Sequence, residues 1–148
     1  MDHNIDHLYA AFITRLAPDT LKPWLLSGRD DLVVVDVRDS DYKYVYKACL
    51  PSSINIPAHT FKDSIPELLN KYPIDRGNSK QIYIFHCMRS HQRGPSSARK
   101  FLRYLLLHTE CGKDFTKIPK IYILDGGLKK WNHLYGGDKR LMIPLIQN

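Results

Sequence analysis

The sequence of 148 residues has no apolar run close to the roughly 20 residues that cross a lipid bilayer. Its first residues, MDHNIDHLYAAFITRL, include Asp2 and Asp6 and lack a basic segment followed by an apolar one, so they do not form a secretory signal. We therefore expect no membrane partner and a protein that works in the cytoplasm, or in the nucleus as well.

Cysteine is also scarce. The three cysteines, Cys49, Cys87 and Cys111, are odd in number, widely spaced and without a CxxC pair. This pattern gives neither a disulfide framework nor a zinc site, so we expect no bound metal. A reducing compartment fits such a chain best.

Acidic residues are few in the middle of the chain. The formal net charge is +7, and residues 76–120 hold 10 Lys and Arg against 2 Asp and Glu. The basic residues do not alternate with an aromatic platform and match no nucleic-acid motif, so we expect no nucleic-acid partner. A solvated helix face explains any single Lys or Arg equally well. The concentration of charge around one motif nevertheless favours an anionic substrate.

Short apolar runs alternate with amphipathic stretches along the chain. The apolar runs predict strands at residues 31–37, 53–57, 81–85 and 120–124. The amphipathic stretches predict helices at residues 18–27, 60–71, 94–107 and 128–135. This alternation predicts an α/β fold with a mainly parallel central sheet flanked by helices, whose sites form beyond the carboxyl ends of the strands.

The motif HCMRSHQRGP, residues 86–95, directly follows the third predicted strand. Cys87 stands at the end of that strand, Arg93 follows six positions later, and Pro95 is preset for the first turn of a helix. The residues between them are Met88, Arg89, Ser90, His91 and Gln92. Their backbone can curl so that its amides point inward at the helix N-terminus, and arginine adds a planar fork that binds two oxygens at once. The motif predicts a pocket for a tetrahedral oxyanion.

A cysteine at the floor of such a pocket can act as a nucleophile if its thiolate is stabilised. A helix terminus supplies about 0.3–1 kcal/mol, whereas each charge-assisted hydrogen bond supplies about 1.5–3 kcal/mol, so the loop amides and Arg93 must contribute. Ser90 is placed to donate its hydroxyl to the sulfur. We predict that Cys87 and Arg93 are catalytic. The predicted supporting residues are His86, Gly94 and Asp36. A buried cysteine that only packs is the alternative.

Four segments together resemble the rhodanese superfamily: HCMRSHQRGP, DVRDSDY at 36–42, PSSINIP at 51–57 and LDGGLKKW at 124–131. Within it the chain is most similar to M-phase inducer phosphatases and the related small eukaryotic arsenate reductases. The resemblance implies a single rhodanese-like domain over residues 1–148 with a core at about 12–135. It also implies that Cys87 is the nucleophile and that Arg93 binds the oxyanion. Sulfur-transferring members have a loop one residue shorter, so the five residues between Cys87 and Arg93 suit phosphate or arsenate.

Met88 is the first departure from the resemblance, because M-phase inducer phosphatases carry a glutamate there. A phosphatase must protonate its leaving group, so a missing acid should slow the cleavage of monoesters. The side chains that can replace this acid are Asp36, Asp39, Asp41, Asp125 and His91. Each of them also has a simpler role in capping, in a turn or in a solvated loop.

Two further departures concern cysteine. Val37 occupies the place where the phosphatases hold a second cysteine that protects the nucleophile, so this protection is in doubt. Cys49 occupies a place where the family usually has histidine, and for it a packing role is favoured over a redox role.

These residues lead to ranked hypotheses. The first is a cysteine-dependent phosphatase of the tyrosine or dual-specificity type, which forms a cysteinyl-phosphate and needs no cofactor. The second is an arsenate reductase that uses glutathione as co-substrate, with glutaredoxin as a partner, and that makes less demand on a general acid. A thiosulfate sulfurtransferase, or a non-catalytic module that binds phosphorylated ligands, is less favoured.

Overall fold

The computed structural model describes residues 4–146. Within that range the helices are α1 (Asn4–Phe12), α2 (Pro18–Leu26), α3 (Asp41–Tyr44), α4 (Ala58–Lys71), α5 (Arg93–His108) and α6 (Gly127–Tyr135). The strands are β1 (Ile13–Leu16), β2 (Leu32–Asp36), β3 (Ala48–Cys49), β4 (Ile54–Asn55), β5 (Ile82–His86), β6 (Lys120–Leu124) and β7 (Ile143–Pro144). Two short 3-10 helices, Glu110–Gly112 and Phe115–Lys117, lie between α5 and β6.

Five strands form one parallel sheet in the order β1-β6-β5-β2-β4. Parallel neighbours cannot be joined by a tight hairpin, so helices make the crossovers between them. The short strands β3 and β7 pair separately and antiparallel. The predicted α/β fold with a mainly parallel central sheet is confirmed.

Both faces of the sheet are buried, which explains why its strands read as continuous apolar runs. On β2, Val33 and Val35 pack toward α4 and α5, whereas Val34 between them packs toward α2 and α6. This division follows from the two-residue period of a strand. The two layers of helices fix the sheet edge from which the motif loop emerges.

The strand predictions differ from the structure mainly at their ends. Residues 120–124 form β6 with the predicted bounds, and His86 joins β5 instead of following it. The strand predicted at 53–57 shrinks to Ile54–Asn55, which pairs only with Val35 and Asp36 at the sheet edge. It cannot extend because Pro57 follows and serves as the N-cap of α4.

The helix predictions hold to within two residues at each end. In the first predicted helix the chain continues through Pro23, and Ser27 forms the C-cap of α2. Proline removes only its own amide donor, and the buried Leu21 one turn earlier anchors the helix against the second face of the sheet. Packing therefore outweighs the local cost of proline.

The sequence patterns missed the amino-terminal pair α1 and β1, the four-residue helix α3 and the short strands β3 and β7. β1 has only four residues, ITRL, and two of them are exposed, so it shows no apolar run. The core predicted for about residues 12–135 is joined by the buried Leu141 and Met142. Trp131 fixes this return of the chain, because its indole N–H donates to the Leu141 carbonyl at 2.8 Å.

Two further observations bear on function. None of the helices in residues 4–146 is long and apolar enough to cross a membrane. In the same part of the chain, no group of three or more His, Cys, Asp and Glu side chains is arranged to hold a metal ion.

Candidate active site

The candidate site lies where the carboxyl ends of β2, β5 and β6 meet at one edge of the sheet. Asp36 at the end of β2 is in register with His86 at the end of β5. Residues 87–92 then form a loop, and α5 begins at Arg93. The fold therefore brings the three segments around Asp36, His86 and Asp125 to one edge, as the parallel sheet predicts.

Cys87 lies at the floor of this loop with 3% of its surface exposed. Its Sγ accepts hydrogen bonds from the backbone amides of Ser90, at 3.2 Å, and Gly94, at 3.3 Å. Both donors favour a thiolate over a thiol, because a charged acceptor strengthens each bond. Ser90 is turned toward the sulfur by a left-handed backbone conformation, with φ of 57°.

The structure changes the role expected of the Ser90 side chain. The sequence suggested that its hydroxyl donates to the sulfur, but the backbone amide does so instead. The hydroxyl oxygen is buried and finds no hydrogen-bond partner among the described residues. This substitution occurs because the left-handed turn at Ser90 directs the backbone, and not the side chain, at Cys87.

The N-terminus of α6 holds the loop from behind. The Leu128 amide donates to the Cys87 carbonyl at 3.0 Å, and the Lys129 amide donates to the Met88 carbonyl at 2.8 Å. These amides have no partner inside their own helix, so they are free to bind the loop. The segment LDGG thus contributes a fixed support under Cys87.

Gly127 makes this support possible. Its φ is +61°, and a Cβ at this position would lie 2.6 Å from the Met88 carbonyl oxygen and 2.7 Å from the Arg89 carbonyl carbon. Both neighbours are backbone atoms that cannot rotate away. Only glycine allows α6 to begin so close to the loop.

Arg15 on β1 supports the loop from the side, and sequence reasoning missed it. Its guanidinium donates to the Ser90 carbonyl at 3.1 Å and forms an ion pair with Asp125 at 3.2 Å. A single arginine in a four-residue edge strand matches no motif, so nothing in the local sequence marks it. Its role becomes visible only when β1 is placed beside β6.

His86 and Asp36, both predicted as supporting residues, are fully buried beneath the loop. The His86 Nδ1 lies 3.1 Å from the Cys87 carbonyl and must be the protonated nitrogen, because a carbonyl only accepts. Asp36 accepts hydrogen bonds from the Arg38 guanidinium at 2.8 to 3.1 Å and from the Arg38 amide at 3.1 Å. Asp36 is therefore fully buried and bound to Arg38. This position does not suit the role of general acid, for which the sequence made Asp36 a candidate.

The buried Arg38 positions the segment that follows α3. Its remaining N–H groups donate to the Val45 carbonyl at 3.2 Å and the Ala48 carbonyl at 3.0 Å, and the Tyr42 ring lies 5.0 Å from its guanidinium carbon. Since both guanidinium and carboxylate are fully buried, each depends on the other for compensation. Through Arg38, Asp36 supports the cavity wall that carries Asp41.

Arg93 points to two carboxylates on the opposite wall. Its two terminal nitrogens donate to the two oxygens of Asp41 at 2.9 and 2.7 Å, and one of them reaches Asp39 at 3.3 Å. The hydrogen bonds from Arg93 hold the pKa of the Asp41 carboxyl below its ordinary value, although burial opposes this. In turn, the bond to Asp41 raises the pKa of Arg93. The arginine that the sequence assigns to the oxyanion is thus occupied by an internal anion.

The other acid candidates have partners away from the sulfur. Burial works to raise the pKa of the Asp39 carboxyl, but hydrogen bonds from the side chain and amide of His59, together with Arg93, lower it overall. Asp125 pairs with Arg15 and, at 3.6 Å, with Lys130. His91 is exposed on the rim of the loop.

A cavity of about 650 Å³ opens above the loop. Its wall consists of residues of the 87–93 loop on one side and of Asp41, Val45, Tyr46 and Lys129 on the other. A neighbouring cavity of about 420 Å³ shares Arg89, His91 and Lys129 and adds Lys130 and His133. The predicted loop residues Met88, Arg89, His91 and Gln92 all face the larger cavity. The concentration of cations around it favours anionic ligands.

The remaining cysteines are free, as is Cys87. Cys111 lies on the 3-10 helix before β6 and is therefore at the amino ends of the strands, opposite the candidate site. Cys49 lies on β3, partly buried and paired with Ile143 of β7. Val37 is fully buried in the apolar cluster that also contains Cys87.

Comparison with known proteins agrees with this geometry. The rhodanese-like domain family matches residues 19–134 of this chain. The dual specificity phosphatase ibp1 of Schizosaccharomyces pombe is 32% identical over 140 residues, which cover 88% of this chain and 96% of that protein. Arsenate reductase 2.2 of Oryza sativa subsp. japonica is 32% identical over 111 residues, which cover 75% of each.

A solved structure gives the same result. A yeast protein tyrosine phosphatase of the rhodanese family, Ygr203w, superposes with a TM-score of 0.74 at 27% identity, covering 90% of this chain and 94% of that one. The region matched by the rhodanese-like domain family, residues 19–134, includes the strand, the loop and the helix that hold Cys87. The chain therefore belongs to the family of rhodanese-like domain proteins.

Proposed function

We propose that this protein is a cysteine-dependent phosphatase of the tyrosine or dual-specificity type. The observation that carries the proposal is the pair of backbone amides, from Ser90 and Gly94, that point at the Cys87 sulfur beneath an open, cation-rich cavity. This arrangement stabilises a thiolate and presents it to an anion. The similarity to proteins named as phosphatases supports the same reaction.

The reaction proceeds in two displacements. The Cys87 sulfur attacks phosphorus, the S–P bond forms, and the P–O bond to the leaving group breaks with its electron pair on the leaving oxygen. Water then attacks the cysteinyl-phosphate, and the S–P bond breaks to return the thiolate. The loop amides serve both steps, because they stabilise sulfur when it is an anion and phosphoryl oxygens when charge develops on them. No step needs a metal or a cofactor.

Substrate binding requires a change at Arg93. Its guanidinium is engaged by Asp41 at 2.9 and 2.7 Å, and a phosphate group offers the same two-oxygen geometry. We assign Arg93 to the phosphoryl oxygens in the complex, where it replaces one bidentate anion with another.

A second candidate function is the reduction of arsenate. It is favoured by Met88, which follows the nucleophile and provides no carboxylate, because arsenate carries its own acidic hydroxyl groups, and these can supply the proton with which an oxygen leaves as water. Similarity to a protein named arsenate reductase adds to this candidate.

The electrons for arsenate reduction come from thiols. The Cys87 sulfur forms an S–As bond with As(V) as one As–O bond breaks and that oxygen leaves as water, and the glutathione sulfur then attacks the Cys87 sulfur. The S–As bond breaks with its electron pair on arsenic, which leaves as As(III), and Cys87 and glutathione form a mixed disulfide. Glutaredoxin with further glutathione restores the thiol, so we propose glutathione as co-substrate and glutaredoxin as partner in this case. A glutathione-rich cytoplasm, and the nucleus with it, is the location we propose.

One parallel assay separates these functions. Purified wild type and Cys87→Ser are tested for phosphate release from an aryl phosphate and, separately, for arsenite formation with glutathione and glutaredoxin. We expect phosphate release to dominate in the wild type and to be lost in Cys87→Ser. Dominant arsenite formation, also lost in Cys87→Ser, would instead assign the reductase function. If both activities are absent from the wild type, a thiosulfate sulfurtransferase assay is the next test, and its failure as well would favour a non-catalytic site for phosphorylated ligands.

A further inference from the structure

Asp41 stands out among the carboxylates near Cys87, because it belongs to the wall of the cavity above the sulfur. No other Asp or Glu of the described residues lines that cavity. Asp36 is fully buried on Arg38, and Asp125 is paired with Arg15. A group that exchanges protons with a substrate must reach it, and Asp41 meets this requirement.

Asp41 is held in place by two independent contacts. Its segment is anchored by the buried Arg38, which donates to the Val45 and Ala48 carbonyls just after α3. Its carboxylate is bound by both terminal nitrogens of Arg93. With Arg93 in place, the Asp41 side chain is only 23% exposed.

Binding of a phosphate dianion changes the surroundings of Asp41 in one direction. The dianion binds the two terminal nitrogens of Arg93, so Asp41 loses its two charge-assisted hydrogen bonds. Asp41 also gains an anionic neighbour in the same cavity. Loss of a cation and approach of an anion both favour the protonated carboxyl over the carboxylate. Substrate binding itself therefore prepares Asp41 to carry a proton.

The other charged and titratable groups do not reverse this change. Asp39, in the turn before α3, and the Cys87 thiolate are anions and act in the same direction as the substrate. Arg38, which follows β2, works to lower the Asp41 pKa, but it is bound to the buried Asp36 and lies outside the cavity lining, so this effect does not change when a substrate enters. Tyr42 and Tyr46 are uncharged. The cations of the rim are Arg89, Lys129 and protonated His91, all exposed and therefore screened by solvent.

We propose that Asp41 is the general acid of the phosphatase reaction. Arg93 keeps Asp41 ionised until a substrate phosphate takes the place of the Asp41 carboxylate on the Arg93 guanidinium. This inference rests on the proposed function. When the substrate binds, the Asp41 carboxylate takes a proton from solvent, and as the P–O bond breaks this proton passes to the leaving oxygen. In the second step the Asp41 carboxylate accepts a proton from the attacking water, and the S–P bond breaks to leave the Cys87 thiolate on the Ser90 and Gly94 amides.

This assignment also accounts for Met88. A carboxylate on the loop next to the nucleophile is unnecessary when one projects from the opposite wall. The acid would then sit on α3, fixed by the Asp36–Arg38 pair, and not on the anion-binding loop.

The test compares two aryl phosphates in wild type, Asp41→Asn and Asp39→Asn. Phenyl phosphate expels a basic oxygen that needs a proton, whereas p-nitrophenyl phosphate expels a stable anion. For Asp41→Asn we expect kcat/KM to fall about 100- to 1000-fold with phenyl phosphate and less than about tenfold with p-nitrophenyl phosphate. Asp39→Asn is the matched control, since Asp39 also contacts Arg93 but does not line the cavity, and it should keep the wild-type ratio of the two substrates.

Inhibition by inorganic phosphate tests the other half of the proposal, the displacement of Asp41 from Arg93, whereas the comparison of the two leaving groups tests the acid role. Because Asp41→Asn frees Arg93, phosphate should inhibit this variant at roughly three- to tenfold lower concentration than the wild type. The decline in kcat of the wild type at high pH with phenyl phosphate should also disappear in Asp41→Asn.

The assignment would be overturned if Asp41→Asn lowered kcat/KM by the same factor with both substrates, or if it lowered kcat/KM with neither. If Asp41→Asn does not fold, the wild type alone decides: kcat/KM across a series of aryl phosphates should depend only weakly on the basicity of the leaving group, and a steep dependence refutes a general acid. Failure of the proposed function gives a different result. In that case the wild type releases no phosphate, or its phosphate release persists in Cys87→Ser.

Discussion

Replacing Gly127 with alanine should both destabilise the fold and impair the nucleophile. A non-glycine residue in the left-handed region costs about 1–2 kcal/mol. The new Cβ would also lie 2.6 Å from the Met88 carbonyl oxygen, roughly 1 Å short of an ordinary contact. Relieving this clash moves α6 away from the loop and weakens the bonds from the Leu128 and Lys129 amides, each worth about 1 kcal/mol. We expect a total loss of about 3–4 kcal/mol.

Gly28→Ala is the matched control for Gly127→Ala. Gly28 has a similar φ of +70°, but a Cβ there meets nothing within 4 Å, so only the backbone cost applies. Thermal unfolding should give a fall in Tm of about 6–16 °C for Gly127→Ala and about 2–8 °C for Gly28→Ala. Phosphatase kcat/KM should fall by about tenfold or more in Gly127→Ala, because the loop is displaced, and it should not fall in Gly28→Ala. If the two variants match in Tm and activity, the support that we assign to α6 is wrong.

Arg93→Ala should lower kcat/KM for aryl phosphates roughly 30- to 1000-fold, or about 2–4 kcal/mol in the transition state, and a change below about threefold would contradict the binding role of this loop. Arg38→Ala should destabilise the protein by about 3–5 kcal/mol in urea unfolding, because it leaves a buried carboxylate without its partner. Its control is Arg140→Ala, which breaks an exposed pair and should leave the unfolding midpoint nearly unchanged, so equal midpoints would refute the reasoning. The Asp41 pKa is lowered in the folded state, so its carboxylate stabilises the fold above its ordinary pKa of about 3.9 and this contribution is lost as the pH falls. The Tm difference between wild type and Asp41→Asn should therefore be present at pH 7 and shrink as the pH is lowered below the ordinary pKa of about 3.9, and a difference that grows in acid would contradict the ion pair.

Local patterns predict the parts of this molecule that depend on local chemistry. The apolar run before Cys87 and the amphipathic stretch after Arg93 gave β5 and α5 to within one residue, because strand and helix periodicities are visible in short windows. The alternation of these elements was enough to predict the parallel sheet. It was also enough to bring three strand ends together at the candidate site.

Contacts between distant segments could not be predicted in this way. The pairing of Arg93 with Asp41 joins residues 52 positions apart, and the contact of Arg15 with the Ser90 carbonyl joins residues 75 apart. The sequence offered five acidic or basic candidates for the acid but no means to rank them, because rank depends on which wall each occupies. Side-chain chemistry at Ser90 was likewise misjudged, since a left-handed backbone turn there leaves no sign in the residue type.

The apolar contact at Val37 has a consequence for oxidative damage. A peroxide converts a reactive thiolate to a sulfenic acid, which is recovered only if another thiol or a backbone nitrogen condenses with it before further oxidation. Val37 follows Asp36, the register partner of His86, and shares an apolar cluster with Cys87, to which it contributes two methyl groups and no thiol. Recovery through a disulfide at this position is therefore closed, and the sulfenic acid must condense either with a thiol from solution, such as glutathione, or with one of the loop amides beside the sulfur.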